Sequence, residues 1–251
     1  MRRIYAYSIS LLLLISTADL TGQDTVLFPL QIRAGFDLVG PGMYIYDNDH
    51  LSLEGYISYD KSEKMAFVLE GGYVDYKYSQ YNYDYQSNGI FARIGADFNF
   101  LKPDISRGKY WAGSGLRYGL SIYDSETPRY EQENYWGTFS SSIPSKSGTG
   151  HFIEITPGFR TELFRNLTLG WTFRLKFLLS GGGGKDLKPI YLPGYGNGGK
   201  GTALGISYYI SWNIVYKTKR VITKPPVVEE PDEDEDEADD EAEMQQRSGI
   251  R

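Results

Sequence analysis

The stretch Ala92-Arg93-Ile94-Gly95-Ala96-Asp97-Phe98-Asn99-Phe100 decides the fold. Ala92, Ile94, Ala96, Phe98 and Phe100 fall on one side of an extended chain, and Arg93, Gly95, Asp97 and Asn99 on the other. Only a strand sends successive side chains to opposite faces, so this pattern requires β structure, and no helical period competes with it. Seven more segments repeat it. Ile32, Ala34 and Phe36 alternate with Arg33, Gly35 and Asp37; Leu53, Ile57 and Tyr59 oppose Glu54, Ser58 and Asp60; Phe67, Leu69 and Tyr73 oppose Val68, Glu70 and Gly72. Further on, Leu116, Tyr118 and Leu120 oppose Arg117 and Gly119; Ile153, Ile155, Phe159 and Leu163 oppose Glu154, Thr156, Arg160 and Glu162. Trp171, Phe173 and Leu175 oppose Thr172, Arg174 and Lys176, and Ile206, Tyr208, Ile210 and Trp212 oppose Ser207, Tyr209 and Ser211.

Eight alternating strands admit two solutions. A soluble lipocalin-like barrel turns the apolar face inward around a ligand; a membrane barrel turns it to lipid and keeps polar side chains inside. Three features favour the second. The apolar face carries the bulky residues while the other is rich in glycine. The segments run about 10 to 13 residues, enough to cross a bilayer at a tilt. The polar face balances six bases (Arg33, Arg93, Arg117, Arg160, Arg174, Lys176) against six acids (Asp37, Glu54, Glu70, Asp97, Glu154, Glu162), before Asp60 is added. An unpaired charge in a narrow lumen costs several kcal/mol, so a protected interior needs that balance and a solvated face does not. The expected fold is therefore an all-β, eight-stranded antiparallel transmembrane up-and-down β-barrel, its lumen filled by an ion-pair network with glycines making room for the arginines, and no open pore.

Residues 61–64, 101–109 and 164–166 read as short connections, and 40–51, 77–88, 123–151 and 180–202 as long extracellular loops, which puts both termini in the periplasm. Tyr44, Tyr46, Tyr73, Tyr76, Tyr78, Trp111, Tyr123, Trp136 and Tyr216 are candidates for interfacial aromatic belts. Pro157 lacks a ladder donor, so a bulge or locally broken pairing is expected there.

The ends differ from this body. Residues 1–22 have the basic start (Arg2, Arg3), apolar centre (Leu11 to Ile15) and small-residue close of a signal peptide, leaving 23–216 as the barrel. Residues 217–251 are expected to be a disordered acidic periplasmic tail: Glu229 to Glu243 hold 12 of the 32 acids and no base. The chain has no cysteine, which excludes disulfides and thiolate chemistry.

Phe91 to Phe100, Gly115-Leu116-Arg117-Tyr118-Gly119-Leu120-Ser121, Leu169 to Lys176 and Ile190-Tyr191-Leu192-Pro193-Gly194-Tyr195-Gly196 together resemble an outer-membrane family of the Bacteroidota catalogued as domain of unknown function 6048. The resemblance covers roughly residues 30–216 and implies a small barrel with a signal peptide and no settled activity.

The favoured role is non-enzymatic: an accessory or scaffold barrel in the bacterial outer membrane, contacting outer-membrane lipid and another outer-membrane or periplasmic protein. Tyr78, Tyr81, Tyr83 and Tyr85 offer rigid contact surface for such a partner. A lipid-A-modifying enzyme is the alternative from another class. It needs a base near the outer leaflet, and the two histidines, His50 and His151, lie near outer strand ends, but Glu154 points away from His151 in an ideal strand. A small-solute channel is the third reading, with 185–200 folding either inward or outward. Gly181 to Gly184 lacks the strand-turn-helix setting of a phosphate loop. No catalytic residue, metal site, cofactor or nucleic-acid partner is expected.

Overall fold

Alternation along the chain sets which side chains meet, and pairing between neighbours turns the segments into one sheet. The computed structural model describes residues 25–181 and 189–223. In order these form β1 (Thr25–Asp37), α1 (Val39–Tyr46), β2 (His50–Asp60), β3 (Met65–Ser79), β4 (Tyr83–Asn99), α2 (Pro103–Ser106), β5 (Tyr110–Asn134), β6 (Gly137–Phe164), β7 (Leu167–Ser180), β8 (Tyr191–Leu192), β9 (Gly196–Asn197) and β10 (Thr202–Ile222). The eight long strands are antiparallel and run up and down, with sheet order β1-β10-β7-β6-β5-β4-β3-β2. β2 pairs in turn with β1, Ala34 opposite Ile57, so the order of neighbours returns to its start. The segments read as signal peptide and acidic tail lie outside the described residues, as does most of the Gly181–Gly184 run.

The two faces of the sheet are inverted relative to a soluble protein. Arg93 is 2% exposed and Glu154 0%, while Phe98 and Trp171 are each 44% exposed. Ile57, Leu69, Ile94, Leu116, Phe159 and Phe173 stand on that same exposed face, about half accessible or more. Burying apolar surface drives folding in water by roughly 25 cal/mol per Å², and this sheet leaves that surface outside.

Several expectations need correction. Residues 77–88 and 123–151 are not long loops. β3 and β4 stay in register from Met65↔Phe98 to Ser79↔Asp84 around a turn at 80–82. β5 and β6 pair out to Asn134↔Gly137, with register shifts near Thr127, around a turn at 135–136. Beyond Tyr123, β5 continues to Asn134, a projection of roughly 40 Å at about 3.4 Å per residue. Residues 40–51 contain α1, and β10 runs on to Ile222, past the expected boundary at 216. At Pro157, by contrast, the broken pairing, one of the two expectations, is found: β6–β7 pairing lapses between Ile155↔Leu175 and Gly158↔Thr172 and resumes in the same register, without a bulge. Trp111 and Tyr123 are buried on the inner face, and Trp136 is 90% exposed at the hairpin tip, so none of the three sits in a belt.

The glycines of the inner face do more than make room for arginine. Gly95 and Gly115 lie against Arg117, but Gly72 faces the ring of Phe91, Gly119 that of Phe152, Gly148 that of Tyr123 and Gly170 that of Tyr209. A missing Cβ on one strand is filled by an aromatic ring from its neighbour, which packs the interior without added width.

The last connection folds inward at the hairpin end, the end of the sheet from which β5 and β6 project. Leu192-Pro193-Gly194-Tyr195 makes a tight turn closed by Tyr195 N–H on the Leu192 carbonyl at 3.1 Å. Proline fixes the first turn position and Gly194 takes φ +76° at the second. Leu192 and Tyr195 are buried against Phe152 and Tyr123, with Leu178 and Ala203 alongside. A Cβ on Gly194 would stand 2.6 Å from the Phe91 ring. Gly194→Ala is therefore expected to loosen this loop by about 1–3 kcal/mol. Trypsin cleavage of the folded protein at Lys200 should accelerate by about tenfold or more, and an unchanged cleavage rate would contradict the inward packing of the loop.

Candidate functional site

Strands β2 to β7 each turn at least one ionised side chain to the buried face at nearly the same level. Arg93 (β4) touches Glu54 at 2.7 Å, Glu70 at 2.6 Å and Glu154 at 3.1 Å, from β2, β3 and β6. Arg174 (β7) repeats the pattern, 2.7 Å from Glu54, 2.8 Å from Glu70 and 2.9 Å from Glu154, with its Nε donating to Ser207 Oγ at 2.8 Å. Two guanidiniums thus share three carboxylates, which spreads the charge and satisfies nearly every donor.

Toward the opposite end the chain of pairs continues. Arg117 bridges Glu70 at 3.1 Å and Asp97 at 2.7 Å, and Arg160 reaches Asp97 at 3.4 Å while stacking 4.4 Å from the Trp111 ring centroid. Arg33 grips Asp60 with both amino groups, at 2.5 and 2.7 Å, and Asp60 also accepts the Gln31 N–H. Toward the hairpin end, Lys176 lies 3.9 Å from Glu154 and donates to the Gly194 carbonyl at 2.7 Å. Arg93 donates to that same carbonyl at 3.3 Å. The folded-in loop is therefore held by two cations of the network.

Ten of the twelve expected network residues are joined by these pairs. Asp37 is not: its Oδ1 accepts the backbone N–H groups of Val39 at 3.1 Å and Tyr208 at 3.0 Å, where β1 turns into α1. Glu162 is half-buried and has no ion pair among the described residues. Asp60, on the polar face but at a strand end, is the partner that the sequence left out of the set. Among the described residues the buried pairs link six cations to five carboxylates.

Around and below the network the described side chains leave small voids. Among the described residues, a void of about 20 Å³ lies between Tyr56, Thr156 and Tyr209 and the network's Glu70, Arg117 and Arg174, and another of about 20 Å³ lies beside Phe28 and Asn99. Each has room for about one water. Among the described residues no group of three His, Cys, Asp or Glu side chains is placed to hold a metal ion.

The tyrosine candidates divide. Tyr76 stacks on Tyr191 of the folded-in loop at 4.3 Å and on Tyr78 at 6.4 Å, and Tyr78 meets Tyr83 at 5.8 Å. Tyr85 is buried beneath them, and Tyr81 stands exposed at the turn. The stack is thus a wall that anchors the loop, and Tyr85 has no contact surface to offer. His50 joins it through Nε2 and the Tyr191 hydroxyl at 3.1 Å. His151 bonds instead to the Tyr118 hydroxyl at 2.7 Å on the exposed face, with Glu154 sealed on the other side.

Charged groups at the ends of the sheet behave as solvated pairs. Hydrogen bonds from Ser79 and then Arg129 hold the Asp84 carboxyl below its ordinary pKa. At the 61–64 turn, burial pushes the Glu63 carboxyl up, but the Lys219 ammonium at 2.9 Å and the local backbone together outweigh it and leave the pKa lowered.

The buried and exposed pairs should respond differently to loss of a cation. Arg93→Met leaves three glutamates facing one another with one guanidinium fewer, and is expected to cost about 3–5 kcal/mol in urea unfolding of the purified protein in detergent. Arg129→Met, on the exposed hairpin, should leave the unfolding midpoint where it was. Equal midpoints for the two variants would contradict the buried network.

A family profile described as "Domain of unknown function (DUF6048)" matches residues 4–219. No match was found among curated proteins. Of solved structures, the N-terminal β-barrel domain of Pseudomonas aeruginosa OprF is similar at 12% identity and a TM-score of 0.30, over 77% of this chain and 100% of that one. Neisserial surface protein A is similar at 14% identity and a TM-score of 0.34, over 75% of this chain and 98% of that one.

Proposed function

Because the chain belongs to the DUF6048 family, and because its ion pairs are buried while its bulky apolar side chains stand exposed, we propose that it is a non-enzymatic outer-membrane protein whose strands close into a transmembrane barrel. The inversion of the two faces carries this reading. In water it would expose a girdle of Ile, Leu, Phe and Trp around the whole sheet; in lipid the same girdle needs no cover, and a closed ring leaves no unpaired strand edge in the hydrocarbon. The short turns at 61–64 and 165–166 face the periplasm, as do both termini, with residues 1–22 as the export signal and the acidic residues 229–243 in a periplasmic tail. The β5–β6 hairpin then projects from the cell.

Within that frame the protein serves as an accessory or scaffold that binds another outer-membrane or periplasmic protein. The hairpin tip supports this: Tyr135, Trp136 and Phe139 are all exposed there, and aromatic anchors dominate protein interfaces. The small size of the voids around and below the network argues against a solute channel, and the separation of His151 from Glu154 argues against a base-activated nucleophile acting on lipid.

The lack of native cysteine makes orientation easy to read. A membrane-impermeant maleimide should label Tyr135→Cys in intact cells and Ser62→Cys only after the outer membrane is permeabilised. Labelling of both in intact cells, or of Ser62→Cys alone, would overturn the proposed topology. Purification from native membranes in mild detergent should yield a stoichiometric complex; a monomer at every concentration would count against the scaffold role while leaving the topology intact.

A further inference from the structure

At the hairpin end a partly open cavity of about 290 Å³ lies between α1, the ends of β1, β2 and β10, and the folded-in loop. That volume is near the lower limit of small-molecule sites, and far larger than the voids around and below the network. Of the charged side chains that line it, Arg93 and Arg174 pair with Glu54, whereas Lys176 and Asp37 have little compensation. Lys176 has one short hydrogen bond, to the Gly194 carbonyl, and its nearest carboxylate oxygen, Glu154 Oε1, is 3.9 Å away; that carboxylate also pairs with Arg93 at 3.1 Å and, through Oε2, with Arg174 at 2.9 Å. An ammonium offers three donors, so Lys176 retains donor capacity toward the cavity. Asp37 accepts two backbone N–H groups on Oδ1 and has no cationic partner among the described residues. The most weakly paired cation of the network and one of the two expected carboxylates outside it therefore border one cavity.

Their separation can be read along β10. Lys176 Nζ lies 3.5 Å from where a Cβ of Gly205 would stand, and Asp37 is bonded to Tyr208, three residues further on. At about 3.4 Å per residue the points on β10 that the two charges touch stand roughly 10 Å apart. The ammonium and carboxylate of an α-amino acid lie about 3 Å apart through N–Cα–C–O; with a hydrogen bond of about 2.8 Å at each end, the bound molecule spans about 9 Å. We propose that this cavity binds a small zwitterion of the α-amino acid class, its ammonium on Asp37 and its carboxylate on Lys176, with the side chain toward Met43 of α1. Binding does not depend on which side of a membrane the cavity faces, so the proposal is independent of the membrane topology.

Calorimetric titration of the purified full-length protein in detergent with each standard L-amino acid tests it. At least one should give saturable heat. For that ligand, the amide lacking the carboxylate and the deaminated acid lacking the ammonium should each bind about tenfold or more weaker. Asp37→Asn, whose side-chain oxygen still accepts from Val39 and Tyr208, and Lys176→Gln should weaken binding to a similar degree, while Asp84→Asn on the exposed hairpin should not. No saturable heat from any amino acid up to about 10 mM would overturn the proposal. An amide and a deaminated acid that both bind the unsubstituted protein as tightly as the amino acid itself would do the same.

Discussion

A guanidinium enclosed by protein must find its carboxylates within the same enclosure. Water cannot reach it to compensate, and an unpaired buried ion costs several kcal/mol even after relaxation. Arg93 and Arg174 meet that condition by sharing Glu54, Glu70 and Glu154, which come from three different strands. With Arg117 added, β2 through β7 each contribute a charged side chain to one connected cluster. The cluster therefore fixes more than local geometry. A one-residue slip of β4 would carry Arg93 to the exposed face and Ile94 to the charged one, so the same pairs that neutralise the interior also hold the register of six strands.

The packing around the cluster is a consequence of that register. Rings lie across glycines of adjacent strands: Phe91 over Gly72, Phe152 over Gly119, Tyr209 over Gly170. Each of these rings is an inward-facing residue in a column of otherwise polar or small side chains. The glycine opposite lets it lie flat against the wall, where a larger residue would force it into the space the arginines occupy. Phe91 also stacks under Arg93, its ring centroid 4.4 Å from the guanidinium carbon, and carries Gly194 on its other flank. One ring thus links the wall, the charge cluster and the folded-in loop.

The same alternation marks how far the sequence could be read. Period-two alternation with sharp apolar and polar contrast exposed the eight strands and the faces of Arg93, Glu154 and Arg174. It failed where that contrast vanishes. Residues 125–146 are rich in Ser, Thr, Tyr and Glu because both faces of the projecting hairpin meet solvent, so the strands there look like loop. α1 was hidden by Val39-Gly40-Pro41-Gly42, a composition that argues against a helix although Gly40 is what lets the helix lie close to the Ser52 carbonyl. Trp111 and Tyr123 were legible: both share the odd parity of Arg117 and point inward with it, and only their position near segment ends suggested a belt. Asp37 and Asp60 show the limit of parity itself. Each closes a strand on the polar face, yet Asp60 finds Arg33 and Asp37 turns to the backbone at the start of α1. That choice is set by the connection after each strand, a tight turn in one case and a helix in the other.

The folded-in loop was the hardest part to foresee, and its energetics differ from those of the cluster beneath it. Its signal was local: Pro193-Gly194 between apolar residues, which marks a turn but not the direction it takes. Lifting Gly194 would break hydrogen bonds from Lys176 and Arg93 to a carbonyl, each worth about 1.5–3 kcal/mol when the donor is charged. It would leave Arg93 still paired with three glutamates. Separating Arg93 from those glutamates would instead strand charges in the interior. The two layers therefore have different strengths by construction. The cluster is the fixed part, and the loop above it is held by contacts that a hydrated or ligand-borne acceptor could replace, most directly at Lys176, whose remaining carboxylate partner is the distant and already shared Glu154.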